Sequence, residues 1–217
     1  MDDESLRYWL ALSRLKGLTR QSIEWVLRSG GPQAVFERQR PVFALGETPP
    51  DALISSAKDF KDWVWVDEEI SRAQKYGARL MAFPDDDYPA LLREIDDPPV
   101  VLYAKGLSTV LNGPVVAVVG TRRPSHYGLS MAGSLGRDLG LMGVTVASGM
   151  ARGCDTAAHA GALSSAGLTA AVLGTGIDTA YPRENKRLYV EIAEKGLLIT
   201  EFPFPTPPLP RNFPQRN

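Results

Sequence analysis

Two segments between residues 115 and 155 decide the fold: VVAVVGTRRPSHYG at Val115–Gly128 and VTVASGMARGCD at Val144–Asp155. Each begins with an apolar run typical of a buried strand, continues into a glycine-containing loop with arginine, and precedes a helical pattern. We predict buried strands at 115–119 and 144–147. A strand, a glycine loop and a helix start together direct backbone N–H groups toward an anion. Two such loops in succession predict a polyanionic ligand.

The chain after Pro114 repeats the alternation of strand and helix. Further strands are predicted at 169–173 and 197–200, and helices near 127–142, 155–166 and 185–195. This spacing favours right-handed βαβ units and a parallel sheet whose strands are covered on both faces. Ligands of such sheets bind at the carboxyl ends of the strands, where all the glycine and arginine loops fall.

The first half of the chain predicts a different, mainly helical structure. Met1–Gly30 reads as two short helices joined by LKGLT, a pattern similar to a helix-hairpin-helix, whose glycine turn can approach a DNA phosphate. An ordinary helical hairpin explains the same residues. Gly31–Pro50 is rich in proline, with a short helix predicted at Gln33–Gln39, and Asp51–Ala78 is helical again.

The tryptophans of this half are interpreted as packing residues. Trp63 and Trp65 lie in the helical segment, and we expect them to pack in a core or between domains rather than to stack on nucleic acid. A short strand is predicted at 79–83, and a linker near Gly106–Gly113. The expected domains are therefore a helical domain at 1–80, a connecting segment at 81–113 and a sheet domain at 114–217.

The composition is that of a globular protein. The 217 residues are 44% hydrophobic and 23% charged, which is enough for a sizeable core. Cys154 is the sole cysteine, so an intrachain disulfide is excluded. The N-terminus lacks the pattern of a signal peptide, and no apolar stretch is long enough to span a bilayer. We expect a soluble, cytoplasmic protein.

The charges are distributed unequally. Residues 1–110 contain 14 Lys and Arg against 18 Asp and Glu, whereas residues 111–217 contain 10 against 7. A modestly positive second half, with arginines in strand-end loops, indicates a local phosphate-binding surface rather than a generally basic protein.

Four motifs in order carry a resemblance to a known family. They are VGTRRPSHYG, SGMARGCDTAAHAGAL, VLGTGIDTAYPREN and the final FPQRN. Together they closely resemble the DNA processing protein A family (DprA, also called Smf), and YPALLREIDDPPVVLYAKG is similar to that family's approach to its Rossmann-like domain. The resemblance implies an α/β fold: a Rossmann-like parallel sheet preceded by a small helical domain of the SAM-like or helix-hairpin-helix type.

The resemblance also implies a function. Members of the family bind single-stranded DNA, protect incoming DNA during natural transformation of competent bacteria, and load the RecA recombinase for DNA recombination. They act without catalysing a reaction and usually as homodimers. No cofactor, metal or catalytic residue is therefore expected, and the acidic turn Asp85–Asp87 is read as solvated.

The resemblance and the strand-end positions together predict a DNA-binding surface. Arg122 is expected to contact phosphates, and Phe213 to offer a ring on which a base stacks. The whole predicted set comprises Gly120, Thr121, Arg122, Arg123, Ser125, Gly149, Arg152, Gly153, Gly174, Gly176, Arg211, Phe213, Arg216 and Asn217.

An enzyme of nucleotide chemistry is the alternative hypothesis. Rossmann-like phosphoribohydrolases of the lysine-decarboxylase-like group need a glutamate near the ribosyl bond, and Glu201 is the candidate beside the loops. No dinucleotide G-x-G-x-x-G opens the first helix after Gly120. His159 and Asp155 are better explained as a packed histidine and an N-cap aspartate, and Cys154 as a small buried side chain.

The family pattern continues beyond FPQRN into another helix and further strands. We therefore expect the Rossmann-like domain to be incomplete in this chain, without most of the surfaces through which the family forms dimers and contacts RecA.

Overall fold

The structure, a computed structural model, describes residues 2–37 and 51–217. The chain forms two compact units. The first comprises residues up to Arg72 together with Leu80–Leu102, and the second comprises Ala73–Arg79 together with Tyr103–Asn217. Part of the short helix predicted at Gln33–Gln39 lies outside the described residues.

The first unit is mainly helical, as predicted. Asp2 caps the first helix by accepting from the Ser5 N–H at 2.8 Å, and Thr19 and Ser22 form a capping box at the second. The predicted helical stretch 51–78 is two helices separated by residues 59–62. The helices up to residue 76 are α1 (Asp3–Leu12), α2 (Arg20–Arg28), α3 (Pro32–Phe36), α4 (Asp51–Lys58) and α5 (Trp63–Tyr76), and the last turn of α5, from Ala73, belongs to the second unit.

Aromatic rings hold the first unit together. Trp63 packs edge-on against Tyr8, Phe36 and Phe60, with ring centroids 5.1–5.5 Å apart. The Arg7 guanidinium also lies 4.6 Å from the centre of the Trp63 ring. This arrangement confirms the prediction that Trp63 is a packing residue.

Two strands bracket the acidic turn of the middle segment: β1 (Arg79–Ala82) and β2 (Val101–Gly106). The Asp85 carboxylate accepts from the Ala82 N–H at 2.9 Å, so this side chain stabilises the turn itself. The segment expected to be a linker contains a short 3-10 helix at Ser108–Leu111. Val110 there is buried, and its carbonyl accepts from the Thr145 hydroxyl at 2.7 Å.

The second unit is built from alternating strands and helices, which confirms the predicted α/β class. Strands β3 to β6 are parallel, and β2 adds to β6 in the antiparallel sense, so the six-stranded sheet has the order β1-β2-β6-β5-β4-β3. The elements are β3 (Val115–Ala117), α6 (His126–Leu141), β4 (Thr145–Ser148), α7 (Cys154–Ser164), β5 (Thr169–Val172), α8 (Lys186–Lys195), β6 (Leu197–Thr200) and α9 (Asn212–Arg216).

The prediction that Val115–Val119 forms a buried strand is wrong in two respects. Strand β3 ends at Ala117, and its side chains are exposed: Val115 and Val116 retain 37% and 42% of their accessible surface. The physical reason is position, because β3 is the outermost strand in the described sheet and pairs with β4 alone. Apolar composition predicts a strand, but it does not distinguish a strand in the centre of a sheet from one at its edge.

Glycines allow α6 and α7 to pack with their backbones in contact. A Cβ on Gly136 would lie 2.2 Å from the Ala158 carbonyl oxygen, and one on Gly161 would lie 2.1 Å from that of Gly133. This close packing fixes α7 behind β4, and so fixes the loop that precedes α7. No helix in the described ranges has the length and apolar character needed to cross a membrane.

Candidate nucleic-acid interface

A pocket lies at the carboxyl edge of the parallel strands, where the sequence predicted a ligand site. The loops after β3, β4 and β5 and the helix α9 after β6 all contribute to it. We call it the carboxyl-edge pocket; it is lined by Arg122, Gly149, Ala151, Arg152, Leu173, Gly174, Thr175, Tyr181, Pro182 and Phe213. Five predicted site residues therefore meet there: Arg122, Gly149, Arg152, Gly174 and Phe213.

Phe213 forms the aromatic wall of the carboxyl-edge pocket. Its ring centroid is 5.4 Å from that of Tyr181, and the two planes are inclined by 36°. The Arg122 guanidinium lies 5.5 Å from the centre of the Phe213 ring. Gly174 leaves room for this ring, because a Cβ there would lie 2.8 Å from the ring edge. A cation and two aromatic faces are thus placed side by side.

Arg216 anchors α9 to the sheet. Its Nη1 donates to the carbonyl oxygens of Gly149 at 2.6 Å and Val172 at 2.7 Å, which lie at the ends of β4 and β5. Burial lowers the pKa of this guanidinium, and the nearby Asp155 carboxylate opposes that effect. Arg216 therefore holds α9, the helix that carries Phe213, against the ends of β4 and β5.

Asn212 provides a second anchor for the same short helix. It is buried, and its side-chain amide donates to the Gly174 carbonyl at 3.2 Å. Because Gly174 also faces the Phe213 ring, the loop after β5 and the helix after β6 hold each other in place.

The loops after β3 and β4 are joined by their backbones. The Cys154 N–H donates to the Thr121 carbonyl at 3.2 Å, and a Cβ on Gly153 would lie 2.5 Å from the same oxygen. Gly120 similarly leaves room for the Cys154 side chain, because a Cβ on Gly120 would lie 2.7 Å from Cys154 Cβ. The Arg122 side chain is exposed at the tip of this fixed loop. These glycines shape the site through close packing.

Arg152 enters the pocket already paired. Its guanidinium forms a hydrogen bond and ion pair with the Glu184 carboxylate, and both side chains are at least half exposed. The pair raises the pKa of Arg152 and lowers the pKa of Glu184, through the hydrogen bond first and then the charges. An anionic ligand at Arg152 would therefore compete with Glu184.

The remaining predicted site residues do not line the pocket. Ser125 caps α6 by accepting from the Gly128 N–H at 3.2 Å, and Gly176 packs against Thr206. Asn217 accepts from the Arg216 Nε at 2.8 Å. Arg123 and Arg211 are exposed outside the pocket.

The groups considered for nucleotide catalysis are placed elsewhere. Glu201 is half-buried and does not line the carboxyl-edge pocket, whose lining residues include no carboxylate. His159 is fully buried, with Nδ1 2.7 Å from the Thr169 hydroxyl, and burial lowers its pKa to about 4. This confirms the prediction that His159 is a packed residue.

Two smaller expectations about α7 are corrected. Asp155 is in the first turn rather than at the N-cap, which is Gly153, and its carboxylate accepts from the Ala151 N–H at 3.2 Å. Cys154 is half-buried rather than buried.

Sequence reasoning missed three residues of this region: Tyr181, Asn212 and Glu184. Tyr181 and Glu184 lie in the quoted motif VLGTGIDTAYPREN. An aromatic and an acidic side chain in a strand-end loop were the signal that could have predicted them. Asn212 carries no such signal, because its importance depends on the return of α9 to Gly174.

The turn between α1 and α2 resembles a helix-hairpin-helix turn in one respect. Gly17 has a positive φ of 77°, as a tight glycine turn requires. The N–H groups at the start of α2 are occupied, however: that of Arg20 donates to the Asp96 carbonyl at 2.8 Å and that of Ser22 to Thr19 Oγ1 at 3.2 Å. Internal acceptors thus occupy two of the N–H groups at this turn.

Comparison with known proteins gives consistent matches. A family model described as DNA recombination-mediator protein A matches residues 79–217. Protein Smf of Synechocystis sp. is 33% identical over 227 residues, covering 100% of this chain and 56% of that protein. The X-ray structure of DNA processing protein A from Streptococcus pneumoniae has a TM-score of 0.73 at 33% identity, covering 97% of this chain and 72% of the other.

A second solved structure also matches. It is described as giving structural insights into the single-stranded DNA binding mode of DNA processing protein A from Helicobacter pylori, and it matches with a TM-score of 0.58 at 31% identity, covering 64% of this chain and 62% of the other. The chain spans about half the length of the curated relatives it matches, with shares of 56%, 50% and 47%.

Proposed function

The chain belongs to the DNA recombination-mediator protein A family, and from this premise we propose that it binds single-stranded DNA at the carboxyl-edge pocket. The observation that carries the proposal is the meeting of Arg122 and Phe213, a cation and an aromatic face, in a pocket lined by no carboxylate. Single strands are held by cations along the backbone and by aromatic faces for the bases.

The geometry supports a role for each residue of the pocket. Arg122 contacts a phosphate, because its exposed guanidinium is fixed at the loop tip beside the aromatic wall. Phe213 and Tyr181 receive a base, since their ring centroids lie 5.4 Å apart in the wall of the pocket. Arg152 contacts a neighbouring phosphate, which takes the place of Glu184 in the ion pair. Arg216 and Asn212 position Phe213 without touching the ligand.

The biological role proposed is that of the family: processing and protection of DNA taken up by a bacterial cell, with delivery to the RecA recombinase, in the cytoplasm and as a homodimer of the whole protein. The action is binding without catalysis. The placement of Glu201 outside the pocket favours this over cleavage of a nucleotide.

Equilibrium binding of a labelled single strand and of duplex of equal length tests the proposal. We expect the single strand to bind more tightly, because stacking on Phe213 needs an unpaired base. The same preparation is assayed for release of base from nucleoside monophosphates, which the alternative enzyme would catalyse. Equal affinity for single strand and duplex, or base release abolished by Glu201→Gln, would contradict the proposal.

A further inference from the structure

The start of α8 presents two cations that the pocket does not use. Lys186 and Arg187 are both exposed, and we call them the α8 patch. Within the described residues 2–37 and 51–217, neither forms an ion pair or a hydrogen bond through its side chain, whereas Lys195 at the other end of the helix pairs with Glu191 at 2.9 Å. Glu184, the nearest carboxylate in sequence, pairs with Arg152 instead.

Helix stability does not explain these positions. The N-terminal turn of a helix is favoured by anions and disfavoured by cations, because the helix dipole is positive there. The first turn of α8 contains no acidic residue and two basic ones. The patch therefore carries a positive charge that the first turn of the helix does not compensate, and the carboxylates that share its surface, Glu191 and Glu194, lie farther along α8.

The α8 patch follows a residue that is anchored beside the carboxyl-edge pocket. Asn185, the residue before α8, is buried and donates to the Met150 carbonyl at 2.9 Å and to Thr156 Oγ1 at 2.8 Å. Pro182 of the pocket wall precedes Lys186 by four residues, a distance of at most about 14 Å. Since a stacked strand rises about 3.4 Å per nucleotide, this is the span of roughly four nucleotides.

We propose that the backbone of a bound single strand leaves the carboxyl-edge pocket past Pro182 and continues across the α8 patch, where Lys186 and Arg187 contact its phosphates. The inference rests on the proposed function of the pocket. It adds a second contact region that a very short oligonucleotide cannot reach and a longer one can.

Binding of oligothymidylates of about 2 and about 16 nucleotides, each over a range of salt concentrations, tests the inference. For the longer strand, the double variant Lys186→Ala/Arg187→Ala is expected to bind more weakly, with the slope of log affinity against log salt reduced by about 1.4, since each neutralised phosphate contributes about 0.7. The shorter strand is expected to bind this variant and the unaltered chain alike.

Two control variants separate charge from location and from misfolding. Lys195→Ala removes a charge from the far end of the same helix, and we expect the slope to stay unchanged. Lys186→Arg/Arg187→Lys keeps both charges and should restore the slope in a folded protein.

The possible failures are distinguishable. If the unaltered chain binds both strands and Phe213→Ala weakens binding, while the double alanine variant keeps the full slope, the α8 patch is overturned and the pocket stands. If the unaltered chain binds neither strand, the proposed function is overturned and the α8 patch with it.

Discussion

The Arg122 guanidinium lies 5.5 Å from the centre of the Phe213 ring, although the two residues are separated by ninety-one positions in the chain. The loop after β3 and the helix after β6 bring them together at one edge of the sheet. Removing the ring should therefore expose how much of the affinity comes from stacking.

Phe213→Ala is expected to weaken binding of a single strand about 5- to 150-fold, because base stacking on an aromatic side chain contributes about 1–3 kcal/mol. Phe213→Tyr should bind nearly as well as the unaltered chain, since it keeps the ring. Fluorescence anisotropy with a labelled oligonucleotide measures both variants. A folded alanine variant with unchanged affinity would remove Phe213 from the site.

Gly174→Ala tests the same wall without altering the ring itself. The added Cβ would lie 2.8 Å from Phe213 Cδ1, so the ring must move. We expect weaker binding of the single strand with little change in the melting temperature. Normal affinity would mean that the position of the ring is unimportant.

Arg216→Met should lower the free energy of unfolding by about 1.5–3 kcal/mol, because the Gly149 and Val172 carbonyls lose a charged donor. Urea denaturation measures the change. Arg211→Met is the matched control, since Arg211 is exposed on the same segment and should change stability by less than about 0.5 kcal/mol. Equal effects of the two changes would contradict the anchoring role of Arg216.

Glu184→Gln is expected to strengthen single-strand binding a few-fold at low salt. It frees Arg152 and removes a negative charge from the edge of the pocket. Glu68→Gln makes the same chemical change in α5, where Glu68 pairs with Arg72 at 2.8 Å, and should leave affinity nearly unaltered. A Glu184 variant that binds no better than the Glu68 variant would exclude competition at Arg152.

The stability of the chain should depend on pH through His159. Its pKa is about 4 in the folded protein, below the ordinary value of 6.5, so the unfolded chain binds the proton more readily. The stabilisation is complete above pH 6.5 and is lost as the pH falls toward 4. Unfolding measured in urea between these values should show this loss, and His159→Gln should flatten the dependence. An equally steep dependence in the variant would assign it to other groups.

The sequence predicted the position of the pocket because parallel strands all end at one edge. Arg122, Gly149 and Gly174 each follow a recognisable apolar strand, so their meeting was implied by the alternation of elements. The placement of Phe213 was implied only by family resemblance, because residues 201–211 have no periodicity to follow.

Other features could not be read from a linear pattern. An arginine that contacts a ligand looks the same in sequence as one that is half-buried and donates to carbonyls, as Arg216 does. The exposure of Val116 depends on which strand lies at the edge of the sheet, and the antiparallel pairing of β2 with β6 depends on contacts remote in the chain.

The central claim is that Arg122 holds a phosphate of single-stranded DNA in the carboxyl-edge pocket. The most direct measurement is the affinity of Arg122→Ala for a labelled single strand at several salt concentrations, beside the unaltered chain. We predict weaker binding in a folded variant, with a log–log salt slope smaller by about 0.7, the contribution of one phosphate. Unchanged affinity at low salt together with an unchanged slope would contradict the claim.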